Sequence, residues 1–227
     1  MSNEGHPPAQ LEGVAVRFGH RVVLRHVDLV AHTGQVTVLV GPAGAGKTTL
    51  LRVLTGRLKP RAGIARLFGL DPRDTAARAR LGIMLQAAAL PGKLSVAEVV
   101  ALHSGYFASP RPIRETLRIA GVTPLVDRPI ATLSSSERRR VEYAVAISGH
   151  PDLLVLDAPD SEMDDESQLL FRCAVRREAD NGTAVIIATR NRGGAAAIAD
   201  RIVEVTGDGL TDVTTDRIVC PATGPGR

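Results

Sequence analysis

The sequence predicts an α/β fold in which helices flank a mostly parallel sheet, and three observations support this prediction. The β-branched run GQVTVLV enters a glycine-rich turn, and the segment TTLLRVLTGRL beyond the turn has apolar residues at helical spacing. The aliphatic runs DLLVLD and TAVIIAT flank a helical segment and so form a βαβ unit with two buried parallel strands. GVAVRFG and RVVLRHVDLVA have the alternation of strands and predict an antiparallel N-terminal sheet.

The other segments are predicted in chain order. GIARLFG is a short strand, DPRDTAARARL is a polar turn with a basic helical piece, and LGIMLQ is again a strand. SVAEVVALHSGYFA and IRETLRIAGV carry apolar residues at helical spacing, so a helical subdomain is expected over about residues 88–140. SERRRVEYAVAISG and QLLFRCAVRREA are predicted helices, and RIVEVTGDGLTDV is a hairpin that turns at residues 207–209.

Length and composition predict a single globular domain. The chain has 227 residues, of which 44% are hydrophobic and 23% are charged. We expect one domain over residues 11–215, with flexible tails at residues 1–10 and 216–227. No apolar run approaches the roughly 20 residues of a spanning helix, and the N-terminus lacks a signal pattern, so a cytoplasmic chain is expected. The cysteines, Cys173 and Cys220, match no metal spacing.

The charge of the chain leaves two kinds of partner open and its composition disfavours one of them. A net charge of +4 and a pI of about 9.6 would suit nucleic acid or acidic lipid. The chain has no Trp, four Phe and two Tyr, so it lacks the interleaved aromatic platforms that bind single strands. A solvated, arginine-rich surface is the favoured interpretation, and no nucleic-acid partner is expected.

The strongest single signal is GPAGAGKT at residues 41–48, which fits G-x-x-x-x-G-K-[ST] between a predicted strand and a predicted helix. Its glycines let successive backbone N–H groups point inward, and the helix N-terminus adds partial positive charge. A triphosphate therefore meets hydrogen-bond donors. Lys47 is expected to reach the β- and γ-phosphates, and the Thr48 hydroxyl to ligate Mg²⁺. The core is accordingly predicted to be that of a P-loop nucleotide hydrolase.

The stretch LLVLDAPD supplies the second part of such a site. Asp157 ends an aliphatic strand, where P-loop hydrolases hold a carboxylate for Mg²⁺. An Asp after a strand is often only a helix cap. With the phosphate loop present, the metal role is favoured for Asp157.

Several stretches together resemble the ATP-binding cassette (ABC) proteins, from about residue 11 to residue 213. LGIMLQAAALPGKLSVAEVV resembles the segment that carries the family's Q-loop glutamine, here Gln86. LSSSERRRVEYAVAISGHPDLLVLDAP resembles the LSGGQ signature, its helix and the Walker B strand, and Phe18 stands where an aromatic ring stacks on adenine. The sequence LGIMLQ…LPGKLSVAE is similar to that of the nucleotide-binding subunits of bacterial ABC-2 exporters of the daunorubicin-resistance type.

The resemblance implies ATP and Mg²⁺ as ligands and a cassette dimer in which each ATP lies between one subunit's phosphate loop and the other's signature. It implies Mg²⁺ positioning by Thr48, Gln86 and Asp157, and contact with a membrane permease through residues 87–107. A buried helix core explains the apolar residues of that stretch equally well. The ATP-binding positions that it implies are Phe18, Gly41, Pro42, Ala43, Gly44, Ala45, Gly46, Lys47, Thr48, Thr49, Gln86 and Asp157. The signature that faces the partner's nucleotide comprises Ser134, Ser135, Ser136 and Glu137.

Several departures from the family pattern bear on hydrolysis. Ala158 replaces the glutamate that polarises the attacking water, and its methyl group can neither accept a proton nor orient water. The loss of general-base assistance is worth about 10²–10⁴-fold in rate. Arg190 occupies the position of the family's switch histidine, and a guanidinium can hold a γ-phosphate but cannot shuttle a proton. Ser135 and Ser136 replace two glycines and Glu137 a glutamine.

Two further features bear on the same question. Ala43 replaces an asparagine in the phosphate loop, but its backbone N–H remains available, so little loss of binding is expected. Asp160, Glu162, Asp164 and Asp165 follow Ala158 closely, yet the turn at Pro159 is expected to direct them toward a partner subunit. Rescue of the missing base by Asp160 is therefore disfavoured.

These observations predict an ATP-binding subunit of a membrane exporter, peripheral on the inner face of the membrane, with weak or absent hydrolysis of its own. Its partner is a second cassette, and a heterodimer is favoured over a homodimer, because the departures impair both composite sites of a homodimer. The alternative is a regulatory nucleotide-binding module without a pump. A nucleic-acid-associated cassette is disfavoured by the single cassette and the few aromatic residues.

Overall fold

The computed structural model describes residues 5–86, 89–206 and 209–214. The strands are β1 Ala9–Phe18, β2 Arg21–Ala31, β3 Val36–Val40, β4 Ala62–Leu67, β5 Leu81–Met84, β6 Leu153–Asp157, β7 Ala184–Thr189, β8 Arg201–Thr206 and β9 Gly209–Asp212. The α-helices are α1 Lys47–Leu54, α2 Thr75–Arg78, α3 Val96–Ser104, α4 Ile113–Ile119, α5 Ser135–Ile147, α6 Asp165–Asp180 and α7 Arg192–Ala196. Short 3₁₀ turns lie at Thr123–Leu125 and Ile130–Thr132.

The strands form two sheets. The smaller sheet is antiparallel and has the order β2-β1-β4. The larger sheet has the order β5-β6-β7-β3-β8-β9, and its neighbours pair in parallel except for the antiparallel hairpin of β8 and β9. The α/β fold, the mostly parallel sheet and the antiparallel N-terminal sheet are thus confirmed.

The central strands are aliphatic because both of their faces are covered. Leu154 and Leu156 of β6 belong to the core cluster that includes residues of α3, α5 and α6. Their neighbours Leu153 and Val155 belong to the opposite cluster, with residues of α1 and the N-terminal sheet. Each fully buried side chain of this size contributes about 1.5–3 kcal/mol relative to exposure. The continuous aliphatic runs therefore place β6 and its neighbours in the middle of three layers.

The prediction of a flexible tail over residues 1–10 is wrong for residues 9 and 10, which belong to a strand. Strand β1 begins at Ala9, where the backbone pairs with Ala31 and with Leu67. Ala9 is buried because it lies between two strands, and the small side chain gave little hydrophobic signal in the sequence. The predicted tail at residues 216–227 and Cys220 lie outside the described residues.

Helix α1 is also shorter than its apolar pattern suggests. It ends at Leu54, although the pattern continues to Leu58. Gly56 has a φ of 67°, and the N–H groups of Arg57 and Leu58 return to the carbonyl of Arg52. A glycine in the left-handed conformation terminates helices in this way.

Helices α3, α4 and α5 make up the predicted helical subdomain, and α5 extends beyond residue 140 to Ile147. Helix α3 begins at a capping box between Ser95 and Glu98. The hairpin of β8 and β9 pairs Thr206 with Gly209, and residues 207 and 208 of the turn predicted at residues 207–209 lie outside the described residues.

Candidate nucleotide-binding site

The carboxyl ends of three adjacent parallel strands build the candidate site. Val40 at the end of β3 is in register with Thr189 of β7, and Asp157 at the end of β6 is in register with Ala188. The loop after β3, the acid that ends β6 and Arg190 after β7 therefore lie at one edge of the sheet. Open α/β sheets bind their ligands at this edge.

The phosphate loop needs glycine at two positions that tertiary contacts fix. Gly46 precedes α1 with a φ of 103°, and a Cβ there would lie 2.8 Å from the Leu24 side chain. A Cβ on Gly41 would lie 2.6 Å from the carbonyl oxygen of Val205. Any larger residue would push the loop off β2 and β8, so the loop curls as the motif predicts.

Lys47 lies across the mouth of the loop. Its Nζ donates to the carbonyl oxygens of Gly41 at 2.6 Å and of Pro42 at 2.9 Å. Partial burial and the nearby charge of Arg190 lower the pKa of Lys47, while Asp157 opposes that shift. The ammonium is thus held near two other charged groups at the start of α1.

Asp157 and Thr48 present oxygen atoms to the same space. Asp157 is buried, and the Thr48 hydroxyl lines the cavity beside it, near enough to help stabilise the charged carboxylate. Burial raises the pKa of Asp157, and the Thr48 hydroxyl and the charge of Lys47 oppose the rise. A carboxylate beside a hydroxyl, with water completing the shell, is a donor set that suits Mg²⁺. The residues at this edge therefore fit the metal that the motif implies.

These groups line one open cavity of about 480 Å³. The predicted residues that line it are Phe18, Ala43, Gly44, Ala45, Gly46, Lys47, Thr48, Thr49, Gln86 and Asp157, together with Ala158 and Arg190. Gly41 and Pro42 instead contribute the carbonyl groups that Lys47 holds. Phe18 is 50% exposed at the end of β1, where its ring is free to stack on a planar group.

Four lining residues were not predicted: Arg21, Val23, Ala188 and Thr189. Ala188 and Thr189 line the cavity because β7 lies between β3 and β6, an order that local periodicity does not encode. A sequence signal for Arg21 did exist. Only two residues separate it from Phe18, and such a short connection in a hairpin places the flanking residues opposite one another.

Ala158 stands at the back of the cavity in a constrained backbone. Its φ is 47°, and its N–H donates to the Ala188 carbonyl at 2.8 Å. The Ala158 carbonyl accepts from Arg139 of α5 at 2.6 Å and from the Ser161 hydroxyl at 2.7 Å. Only a methyl group reaches toward the cavity at this position.

Two of the acids after Ala158 accept hydrogen bonds from neighbouring residues. The Asp160 carboxylate accepts from the Thr189 hydroxyl at 3.0 and 3.1 Å. Asp164 caps α6 by accepting from the Ser167 N–H, and Asp165 begins that helix. Among the described residues that line the cavity, Asp157 is the single acid.

The four signature residues lie at the start of α5, away from the cavity. Ser134 and Glu137 form a capping box, and Glu137 also pairs with Arg128 at 2.7 Å. The Ser136 hydroxyl donates to Ser167 at 2.9 Å. None of residues 134–137, all of which the structure describes, lines the cavity.

Comparison with models of protein families identifies the family of the chain. The family model described as ABC transporter matches residues 24–161, and the chain belongs to this family.

Three relatives show how far the similarity extends. The hemin import ATP-binding protein HmuV of Rhodococcus jostii is 35% identical, and the alignment covers 85% of this chain and 69% of that protein. The phosphonates import ATP-binding protein PhnC 2 of Rhodopseudomonas palustris is 36% identical over 89% of this chain and 76% of its own length. The Nod factor export ATP-binding protein I of Ralstonia nicotianae is 30% identical over 86% of this chain and 63% of its own length.

Two solved structures share the fold. The ATP-binding subunit of an ABC transporter superposes with a TM-score of 0.82 at 19% identity and covers 90% of each chain. A dimeric ATP-binding cassette bound to ADP and Pi superposes with a TM-score of 0.79, also at 19% identity, over 92% of this chain and 100% of its own. Every helix within the described part of the chain is too short or too polar to cross a membrane.

Proposed function

We propose that this chain is the ATP-binding subunit of a membrane ABC transporter and binds ATP with Mg²⁺ in the 480 Å³ cavity. The observation that carries the proposal is the convergence of the phosphate loop, Asp157 and Phe18 on that one cavity. Phe18 stacks on the base, the loop N–H groups and Lys47 bind the phosphates, and Thr48 and Asp157 hold the metal. Gln86, on the segment that follows β5, positions the metal and its water.

The proposed assembly contains a second cassette. Helix α5 directs the N–H groups of its first turn toward a γ-phosphate held by the partner, because the N-terminus of a helix attracts anions. Ser135 and Ser136 add side chains where the family has glycines, and Glu137 adds a negative charge beside the phosphate. The dimeric neighbour in fold is consistent with such a pairing. A heterodimer with a more competent cassette is favoured.

Hydrolysis by this chain alone is proposed to be weak or absent. The water-polarising position is Ala158, and no second acid among the described lining residues replaces it. The missing base corresponds to about 10²–10⁴-fold in rate, or roughly 3–5 kcal/mol of barrier. Arg190 lines the same cavity as Lys47, which supports a role for its guanidinium in holding phosphate. The groups that bind nucleotide are present, whereas the groups that turn it over are missing.

The proposed permease contact uses residues 89–107 of the predicted surface, since residues 87–88 lie outside the described part. Within α3, Val96, Val99 and Val100 are buried in the core. Leu102 is 45% exposed and Tyr106 beyond the helix is 75% exposed. These two exposed side chains are the apolar groups that a membrane subunit would cover. The subunit would then sit peripherally on the cytoplasmic face of the membrane.

The direction of transport is proposed as export, from the resemblance of LGIMLQ…LPGKLSVAE to ABC-2 exporters. The relatives give this part of the proposal little support, because two of the three described above carry import in their names. Import is therefore the competing direction, and transport by the reconstituted complex decides between the two.

The experiment for the site measures ATP binding by calorimetry and steady-state ATPase activity on the same purified chain. We expect wild type to bind ATP with little turnover, Lys47→Ala to lose binding, and Ala158→Glu to gain turnover over wild type. Robust wild-type turnover that Lys47→Ala abolishes would contradict the proposed loss of hydrolysis. Absence of ATP binding by folded wild type would contradict the site itself.

The second candidate, a regulatory module without a pump, is favoured by the same pattern of retained binding and missing turnover groups. An affinity pull-down from native membranes, with ATP and Mg²⁺ present, separates the two. A polytopic membrane protein that is lost with Tyr106→Asp supports the transporter subunit. A soluble partner in its place supports the regulatory module.

A further inference from the structure

Arg21 lies beside Phe18 on the same face of the N-terminal sheet. Gly19 and His20 connect β1 to β2, and Phe18 pairs directly with Arg21 across the hairpin. Directly opposed residues of an antiparallel pair point to the same face, with Cβ atoms about 4.5–5.5 Å apart. A ligand that covers the Phe18 ring therefore lies within reach of the Arg21 side chain.

The tip of Arg21 extends from this face over the phosphate loop. Its NH2 nitrogen lies 3.7 Å from the point where a Cβ on Gly44 would stand. The strand and the loop are packed together, since Cβ positions on Gly46 would contact Val23 and Leu24 of β2. The hairpin that holds Phe18 thus also fixes a guanidinium above the loop.

The charges around the cavity favour a polyanion. Its lining contains three cations, Arg21, Lys47 and Arg190, and one acid, Asp157. The Lys47 ammonium already bonds the Gly41 carbonyl. Among the ion pairs found in the described residues, none includes Arg21. A guanidinium presents several N–H donors in a planar fork that matches phosphate oxygens.

We propose that Arg21 is a third phosphate-binding cation of this site and holds the polyphosphate chain of the nucleotide from the side of the base. The inference rests on the proposed nucleotide-binding function. Lys47 and Arg190 hold the chain from the end of the sheet, and Arg21 closes over it from the hairpin. The same hairpin therefore recognises two parts of one nucleotide, the base through Phe18 and the phosphates through Arg21.

The test measures ATP affinity of the full chain by calorimetry at about 50 mM and about 500 mM NaCl. We expect Arg21→Ala to weaken binding about tenfold at low salt, as the loss of one charge-assisted contact does, and only about twofold at high salt, where charges are screened. Arg21→Lys should keep part of the affinity because it keeps the charge. Circular dichroism and thermal melting verify that each variant is folded.

Arg17→Ala is the control, since Arg17 is an exposed arginine on the same hairpin that does not line the cavity, and its guanidinium donates instead to the Gly19 carbonyl in the turn. It should bind ATP as wild type does. An equal loss in Arg17→Ala and Arg21→Ala would trace the effect to the hairpin and overturn the inference. The inference would also be overturned if Arg21→Ala bound ATP within about twofold of wild type at low salt while Lys47→Ala lost binding. Failure of wild type to bind ATP would instead defeat the proposed function.

Discussion

Arg139 ties helix α5 to the edge of the sheet that forms the cavity, and its replacement by methionine tests that connection. The guanidinium donates to the Leu85 carbonyl at 3.0 Å and to the Ala158 carbonyl at 2.6 Å. It also donates to the Glu142 carboxylate at 2.5 Å, one turn along α5. Leu85 precedes Gln86, so this one side chain joins three parts of the molecule that meet at the site.

The expected loss of stability in Arg139→Met follows from the burial of the ion pair between Arg139 and Glu142. The side chains of Arg139 and Glu142 are each 5% exposed, so Arg139→Met leaves a buried carboxylate without its partner. Removal of one member of a buried pair costs about 3–5 kcal/mol of unfolding free energy. Replacement of both members, in Arg139→Met with Glu142→Leu, should cost about 1–2 kcal/mol or less, because no buried charge then remains.

The stability lost in Arg139→Met should depend on pH in a definite direction. Burial raises the pKa of Glu142, and Arg139 opposes the rise, so the pKa should climb further in Arg139→Met. Between the unfolded and folded pKa values the folded state binds more protons, and stability therefore falls as pH increases through that window. The penalty of Arg139→Met should be smaller at pH 5 than at pH 8, by about 1.4 kcal/mol for each unit by which the pKa rises.

The assay is urea unfolding followed by circular dichroism at both pH values. Arg73→Met serves as a control, because its ion pair with Asp71 is exposed and screened by solvent, so its loss should change the stability little. A loss below about 1 kcal/mol in Arg139→Met at pH 8, against the range expected for a buried pair, would refute the argument. An equal loss at pH 5 and pH 8 would show that the buried charge of Glu142 is not its source.

Three further predictions concern the surroundings of the site. Arg111→Gln should destabilise the chain by about 3–5 kcal/mol in urea unfolding, because it removes two bonds of 2.6 and 2.7 Å to Glu178 in a pair that is 5% and 1% exposed. A loss no larger than that of an exposed pair would contradict this. Ala158→Gly should raise the free energy of unfolding by about 0.5–1 kcal/mol, since glycine adopts a φ of 47° without the Cβ contact that strains alanine. An unchanged midpoint of urea unfolding would argue against such strain. Ser136→Ala should raise the pKa of Asp164 above its value of about 2, because the Ser167 N–H that donates to the carboxylate and the neighbouring Ser136 side chain both lower that pKa; an unmoved pKa in an NMR titration would rule out the Ser136 contribution.

The sequence by itself determined the parts of this protein that depend on short-range patterns. Alternation and aliphatic runs indicated the strands, and helical spacing indicated the helices. The motif at residues 41–48 identified a phosphate loop because glycine placement and the following helix are local properties of the chain. The resemblance then named the family, which the comparison with family models confirmed over residues 24–161. The roles assigned to the individual site residues remain predictions.

Only the tertiary structure decided which side chains meet at the cavity. Strand order placed β7 between β3 and β6 and so brought Thr189 and Arg190 beside the phosphate loop. It gave the Asp160 carboxylate a hydrogen bond from the Thr189 hydroxyl, and it gave Arg139 carbonyl partners 54 and 19 positions away in the chain. Local patterns carry no information about such contacts, because they depend on how distant segments pack. The short hairpin connection is a local feature that sets Arg21 opposite Phe18, whereas the packing of that hairpin on the phosphate loop, which brings Arg21 above Gly44, is a tertiary one.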